Sequence, residues 1–172
     1  MSYELSSDVI NEIESWKSKF PADKKRSVII SALHAVQHEN HGYLTAEQMN
    51  AVAEYLDLPT IQIYEIATFY SMFQTKEVGR NEVAICTNIS CMLRGADEIV
   101  NHVEDKLGIK IGESTKNGRV FLKQEEECIA ACCGAPAMMV NHKYYENLTK
   151  EQVDQILDCL LYTSPSPRDA TL

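Results

Sequence analysis

The six cysteines of this chain are confined to its second half, and four of them form two close pairs, Cys86-x4-Cys91 and Cys128-x3-Cys132, separated by residues 92–127. That arrangement constrains the fold more than any other feature. Each pair offers two thiolates from one loop, and the intervening stretch is long enough for a helix and strands that return the second loop to the first. Four thiolates can hold a [2Fe-2S] cluster, two per tetrahedral iron, or one tetrahedral zinc. Structural zinc usually takes a tight two-residue turn between its cysteines, whereas wider loops suit a dinuclear cluster. The spacing leans toward the cluster and leaves zinc open. No C-x-x-C occurs, which weighs against a thioredoxin-type redox dithiol.

Reading the cysteines as ligands supposes a reducing compartment. The opening stretch MSYELSSDVINEIESW is acidic and polar, unlike a signal or transit peptide, and no segment has the length and apolarity of a membrane span. The expected setting is therefore one in which thiols stay reduced. With 25 acidic and 16 basic side chains the formal charge is −9. Such a balance opposes approach to phosphate backbones, so nucleic acid is set aside.

The 172 residues, 45% of them apolar, suffice for one full core or two small ones. Residues 6–73 carry helical periodicity broken at Pro21, at Asn40-His-Gly42 and at Leu58-Pro59. The first helix is expected to be capped at Ser7-Asp8, with Val9, Ile10, Ile13 and Trp16 on its apolar face; the second spans Val28 to His38. Thr45-Ala-Glu-Gln48 has capping-box spacing and opens a third, and a fourth follows Pro59 to about Phe73. The joint is placed at Val78-Gly79-Arg80-Asn81. Beyond it Glu82 to Cys86 reads as a strand, Arg94 to Leu107 as a helix, and Arg119 to Lys123 and Ala137 to Val140 as strands. A final helix starts at Thr149-Lys-Glu-Gln152. The expected fold is α+β: a helical bundle over 1–77, a small thioredoxin-like α/β domain over 78–161, and a tail over 162–172. The tail's two Ser-Pro pairs predict disorder, and it resembles a translated adapter or vector read-through more than a natural terminus.

The strings Val83-Ala-Ile-Cys-Thr-Asn-Ile-Ser-Cys-Met-Leu-Arg-Gly95 and Glu127-Cys-Ile-Ala-Ala-Cys-Cys-Gly-Ala-Pro136, with Asn141, resemble the thioredoxin-like [2Fe-2S] ferredoxin subunit of respiratory NADH:quinone oxidoreductase, complex I. This is the 24-kDa subunit family of that complex. The likeness extends upstream through Val52-Ala-Glu-Tyr-Leu56 and Tyr64-Glu-Ile-Ala-Thr-Phe-Tyr70, covering roughly residues 6–161. It implies that Cys86, Cys91, Cys128 and Cys132 ligate one [2Fe-2S] cluster, with no catalytic residue of the chain's own. It also implies a partner flavoprotein subunit that carries FMN and binds NADH, other peripheral-arm partners, and a peripheral place on the cytoplasmic side of a bacterial inner membrane, or the matrix side of a mitochondrial one. No G-x-G-x-x-G or G-x-x-x-x-G-K-[ST] offers a nucleotide site within the chain. Two departures from the family pattern stand out: Ala130, where many relatives have Gly, and Cys133 directly after the fourth ligand. The small subunit of an NAD(P)-linked hydrogenase or formate dehydrogenase is a rival with a similar sequence. A zinc-stapled interaction module is a rival of another class, and a thiol oxidoreductase is a third.

Other features have plainer readings. His34, His38 and His41 fit a polar helix face better than a metal site. Tyr64 to Phe73 can be bundle core or a docking surface for the flavoprotein. Pro136 sits where thioredoxin-like folds place a cis proline, though a trans turn explains it equally well. Arg94 and Lys123 either set charge near the site or belong to a solvated face. Cys159 is expected to fill core, and Cys133 to be a spare thiol pointing away from the site.

Overall fold

A computed structural model describes residues 3–123 and 128–162 of the chain. They form two compact units that divide between Glu77 and Val78. Residues 163–172, the greater part of the expected tail, lie outside the described residues.

The first unit holds four helices, α1 (Ser7–Lys17), α2 (Ile29–Glu39), α3 (Ala46–Leu56) and α4 (Thr60–Phe69). Ser6 rather than Ser7 caps α1, its hydroxyl accepting from the Val9 amide at 3.2 Å. A 3-10 turn over Lys25–Val28 precedes α2. The Thr45–Gln48 capping box forms in full: the Thr45 amide donates to Gln48 Oε1 at 2.8 Å, and the Gln48 amide donates to Thr45 Oγ1 at 3.2 Å. These contacts satisfy helix-start amides that would otherwise have no partner. Val9, Ile13, Ile29, Leu33, Val36, Val52 and Ile63 meet in one core. Helix α4 ends at Phe69, short of the expected Phe73. The Gln37 side chain explains the stop, because it donates to the Met72 carbonyl at 3.0 Å and accepts from the Gln74 amide at 2.8 Å. Those bonds hold the segment after α4 as a turn and seat Phe73 in the core.

The second unit runs β1 (Asn81–Ile85), α5 (Ile89–Leu93), α6 (Ala96–Leu107), β2 (Val120–Lys123), β3 (Met138–Val140), β4 (Lys143–Tyr145) and α7 (Lys150–Tyr162). The sheet order is β2-β1-β3-β4, with β1 parallel to β2, antiparallel to β3, and β3 antiparallel to β4. The long parallel connection carries α6, as a crossover between parallel strands requires. Val83, Ile85, Val120, Leu122, Met138 and Val140 of the sheet pack with Ile99 and Val103 of α6 and Val153 and Leu157 of α7. Strand β4 is absent from the sequence reading. It is three residues long and follows a turn in which Asn141 and His142, not the usual Asn-Gly, adopt φ of 46° and 68°. The helix expected from Arg94 begins instead at Ala96, and the short α5 before it is also absent from the sequence reading. Gly95, at φ 87°, separates the short α5 from α6. The first unit thus contributes helices only, and all the cysteines fall in the α/β unit, giving an α+β fold.

Candidate metal centre

Cys86 follows the last residue of β1, and its amide donates to the Ala137 carbonyl at 3.1 Å, continuing the pairing with β3. Cys91 lies in α5. Asn88 caps that single turn, its side chain accepting from the Ile89 amide at 2.9 Å, and so fixes where the helix carries Cys91 relative to β1. Both thiols are buried, at 1% and 2% exposure. They pack with Ala96, Ile129, Ala135 and Ala137 in a small cluster of their own.

Cys128 and Cys132 sit on the loop before β3, and both are exposed. Their sulfurs stand 3.4 Å apart. Two features of the loop produce this approach. Ala130 takes a left-handed φ of 63°, turning the chain back on itself, and Cys132–Gly134 then forms a 3-10 turn. The Ala130 amide points at the Cys128 sulfur, 3.4 Å away. Gly134 is buried where any β-carbon would overlap the Glu146 side chain, so the turn into β3 admits no larger residue. The Ala135–Pro136 peptide is cis.

Burial pushes the Cys91 thiol up; a hydrogen bond from the Ala137 backbone works against this, and the Cys86 hydrogen bond and the charges of Cys86 and Cys128 add to the rise. Cys128 is thus near enough for its charge to act on Cys91. Sulfurs so placed repel one another as thiolates, and a cationic metal core removes that conflict. Two thiolates on one tetrahedral metal at ~2.3 Å stand about 3.7 Å apart, near the separation of Cys128 and Cys132. Among the described residues, no three or more His, Cys, Asp and Glu side chains are grouped to hold a single metal ion. Two backbone amides that donate to sulfur complete the environment.

A model of the thioredoxin-like [2Fe-2S] ferredoxin family matches residues 13–161. The chain belongs to that family. Among its relatives, the NADH-quinone oxidoreductase E subunit of Rickettsia bellii (strain RML369-C) is 43% identical over 142 residues, 83% of this chain and 84% of the relative. The mitochondrial NADH dehydrogenase [ubiquinone] flavoprotein 2 of Dictyostelium discoideum is 33% identical over 164 residues, 95% of this chain and 66% of that one. Among solved structures, an NAD+-reducing [NiFe]-hydrogenase in its air-oxidized state aligns with a TM-score of 0.67 at 22% identity, covering 81% of this chain and 25% of that one. That likeness shows a shared fold, over a quarter of the hydrogenase chain.

Other expected residues of this ferredoxin-family chain fall as follows. Cys133 is exposed beside Cys132. Cys159 is exposed and not in the core, a correction: it lies on α7 beside Asp158, while Val153 and Leu157 take the inward positions. Lys123 is buried and paired with Glu82 at 3.2 Å, so it is no residue of a solvated face, whereas Arg94 is exposed. His34 packs on Phe73 and lies 3.0 Å from the Met72 sulfur. The Tyr64–Phe73 segment divides its roles: Phe73 is buried, while Phe69 is 79% exposed. The sequence reading missed the exposed apolar residues Ile89, Met92 and Leu93 of α5. Their signal was legible as three large apolar side chains crowded into a five-residue helix that can bury only one face. It also missed Ala137, whose carbonyl and amide serve Cys86 and Cys91; nothing in an alanine's identity signals a role played by its backbone.

Proposed function

We propose that this chain is an electron-transfer subunit of an NADH:quinone oxidoreductase, holding one [2Fe-2S] cluster on Cys86, Cys91, Cys128 and Cys132. The observation that carries the reading is the approach of the Cys128 and Cys132 sulfurs to 3.4 Å, in the same unit as the buried Cys86 and Cys91, in a chain that matches NADH-quinone oxidoreductase relatives over most of their length. When bound, such a cluster supplies the capacity to take and return one electron at a time. The chain's own residues do the rest. Cys86 and Cys91 anchor the inner side against Ala96, Ile129 and Ala137. The Ala137 and Ala130 amides, donating to the Cys91 and Cys128 sulfurs, favour added negative charge and so raise the reduction potential.

In this reading, NADH and FMN belong to a partner subunit, and the complex is peripheral on the cytoplasmic face of a bacterial membrane or the matrix face of a mitochondrial one. Ile89, Met92 and Leu93, at 68%, 47% and 76% exposure on the helix that carries Cys91, support a covered position beside a partner. The hydrogenase likeness favours a second reading, the equivalent subunit of an NAD-linked hydrogenase. Affinity capture of the native complex separates the two by whether quinone-arm or nickel-iron subunits accompany the flavoprotein.

The ligand assignment is tested by anaerobic purification. The protein should be red-brown, with two irons and two labile sulfides per chain. Cys133→Ser should keep the iron content and EPR signal of the reduced protein, whereas Cys132→Ser should lose or strongly shift them. A colourless protein with one zinc defeats the reading, and a signal disturbed only by Cys133→Ser moves the ligand by one residue.

A further inference from the structure

The two thiol pairs differ in a way that electron transfer does not require. Cys86 and Cys91 are sealed, at 1% and 2% exposure, while Cys128 and Cys132 are open to solvent with their sulfurs 3.4 Å apart. A disulfide forms when two sulfurs close to about 2.05 Å with their side chains aimed at each other. The left-handed turn at Ala130 and the 3-10 turn at Cys132–Gly134 bring the two sulfurs to this separation, and the loop has to close the remaining gap. Cys133 lies one residue beyond, and the sulfur contact is made by Cys132.

The geometry points to a redox-modification site: in the cluster-free chain, Cys128 and Cys132 form a dithiol that a low-molecular-weight disulfide of the glutathione class converts to an intrachain disulfide. One exposed thiolate attacks the glutathione disulfide, forming a mixed disulfide and releasing one glutathione thiolate. The neighbouring protein thiolate then displaces the second glutathione. Two protein thiols lose two electrons and two protons, and one glutathione disulfide becomes two thiols. The buried pair is shielded from the same reagent. Resting on the ligand reading above, the bridge closes the site to iron, so that the redox poise of the surroundings decides whether new chain is loaded. This role differs from thioredoxin-type turnover, because the product disulfide blocks the chain's own site.

The test uses the full chain, stripped of iron anaerobically with a chelator and reductant, then incubated with oxidised glutathione, alkylated and mapped by mass spectrometry. In native buffer the expected product is one Cys128–Cys132 bridge, with a mass loss of two hydrogens and with Cys133 alkylated. In guanidinium chloride, where only sequence proximity acts, the bridge should scatter among Cys128, Cys132 and Cys133. Cys133→Ser should leave the native product unchanged, and Cys132→Ser should abolish it. The oxidised chain should take up less than roughly a tenth of the iron and sulfide that the reduced chain takes up, and dithiothreitol should restore uptake. Glutathione held on Cys133, a bridge to Cys133, or the same scatter in native buffer overturns the proposal and leaves the ligand reading standing. A clean Cys128–Cys132 bridge with undiminished iron uptake overturns the gating and the ligand reading together.

Discussion

Ala130 concentrates several consequences of one backbone angle. At φ 63° an alanine is held where its β-carbon crowds the following carbonyl, a conformation costing roughly 1–2 kcal/mol that glycine avoids. The turn is nonetheless what brings Cys132 over Cys128 and aims the Ala130 amide at sulfur. Ala130→Gly should therefore keep the loop and stabilise the chain by up to about 1 kcal/mol, because part of the gain is lost to the greater freedom of an unfolded glycine. Urea denaturation of the loaded protein measures this, and a loss of stability would show that the alanine methyl makes contacts worth more than the strain. Gly79 presents the opposite case. A β-carbon there would stand 2.5 Å from the Val120 backbone, and a strand backbone cannot rotate aside as a side chain can. Gly79→Ala should cost about 1–3 kcal/mol, the scale of overpacking a filled site, read in the same experiment.

At the scale of elements, the features legible in sequence were those set by neighbours in the chain. Thr45-x-x-Gln48 and Thr149-x-x-Gln152 both form the reciprocal bonds their spacing announces. Thr45→Ala should accordingly cost roughly 0.5–2 kcal/mol by thermal or urea unfolding. What escaped the sequence depended on distant partners. Helix α4 stops where Gln37 reaches across from α2, and β4 exists only because β3 offers an edge. The pairing of the cysteines could be seen from their spacing, but the division into a sealed and an open pair could not, since it follows from which loop faces the sheet core. Helices α6 and α7 are joined by another such long-range device. Lys106 reaches Asp158 at 2.8 Å and Asp154 at 3.2 Å, and His102 reaches Asp154 at 2.8 Å. The His102 hydrogen bond, followed by that from Lys106, holds the Asp154 carboxyl below its usual range. A carboxylate with a lowered folded value stabilises above its unfolded value, about pH 4, and that stability fades as pH falls through the folded one. Bonds to Asp158 and Asp154 raise Lys106, so its contribution is complete below its unfolded value, near pH 10, and is lost as pH rises through the folded one. Asp154→Asn should lower the melting temperature by a few degrees at neutral pH. The gap from the parent should narrow as pH falls below about 4 and shrink in high salt, because these groups face solvent. A gap independent of both would mean that packing, not charge, joins the helices.

For the whole molecule, the separation of cores carries the strongest expectation. The helical unit buries Val9 through Phe73, and the α/β unit buries Val83 through Leu157 with the cysteine cluster beside it; no residue belongs to both sets. Capping, strand pairing and the thiol pairs are all completed inside one unit or the other. We therefore propose that residues 78–162 fold without 1–77 and hold the cluster by themselves. A piece of that size buries only about three-fifths of its unfolded surface, which leaves it marginal until a ligand that binds the folded form alone adds its binding energy. Expressed anaerobically with iron and sulfide, the fragment should show the absorption and EPR spectrum of the full chain and should melt cooperatively. Removing iron should lower its melting temperature by more than it lowers that of the full chain. The complementary fragment 1–77 should be helical by circular dichroism and bind no iron. Failure of 78–162 to take up iron, with the full chain loading normally under the same conditions, would show that the helical unit is required for the cluster site, and the division into independent units would fall.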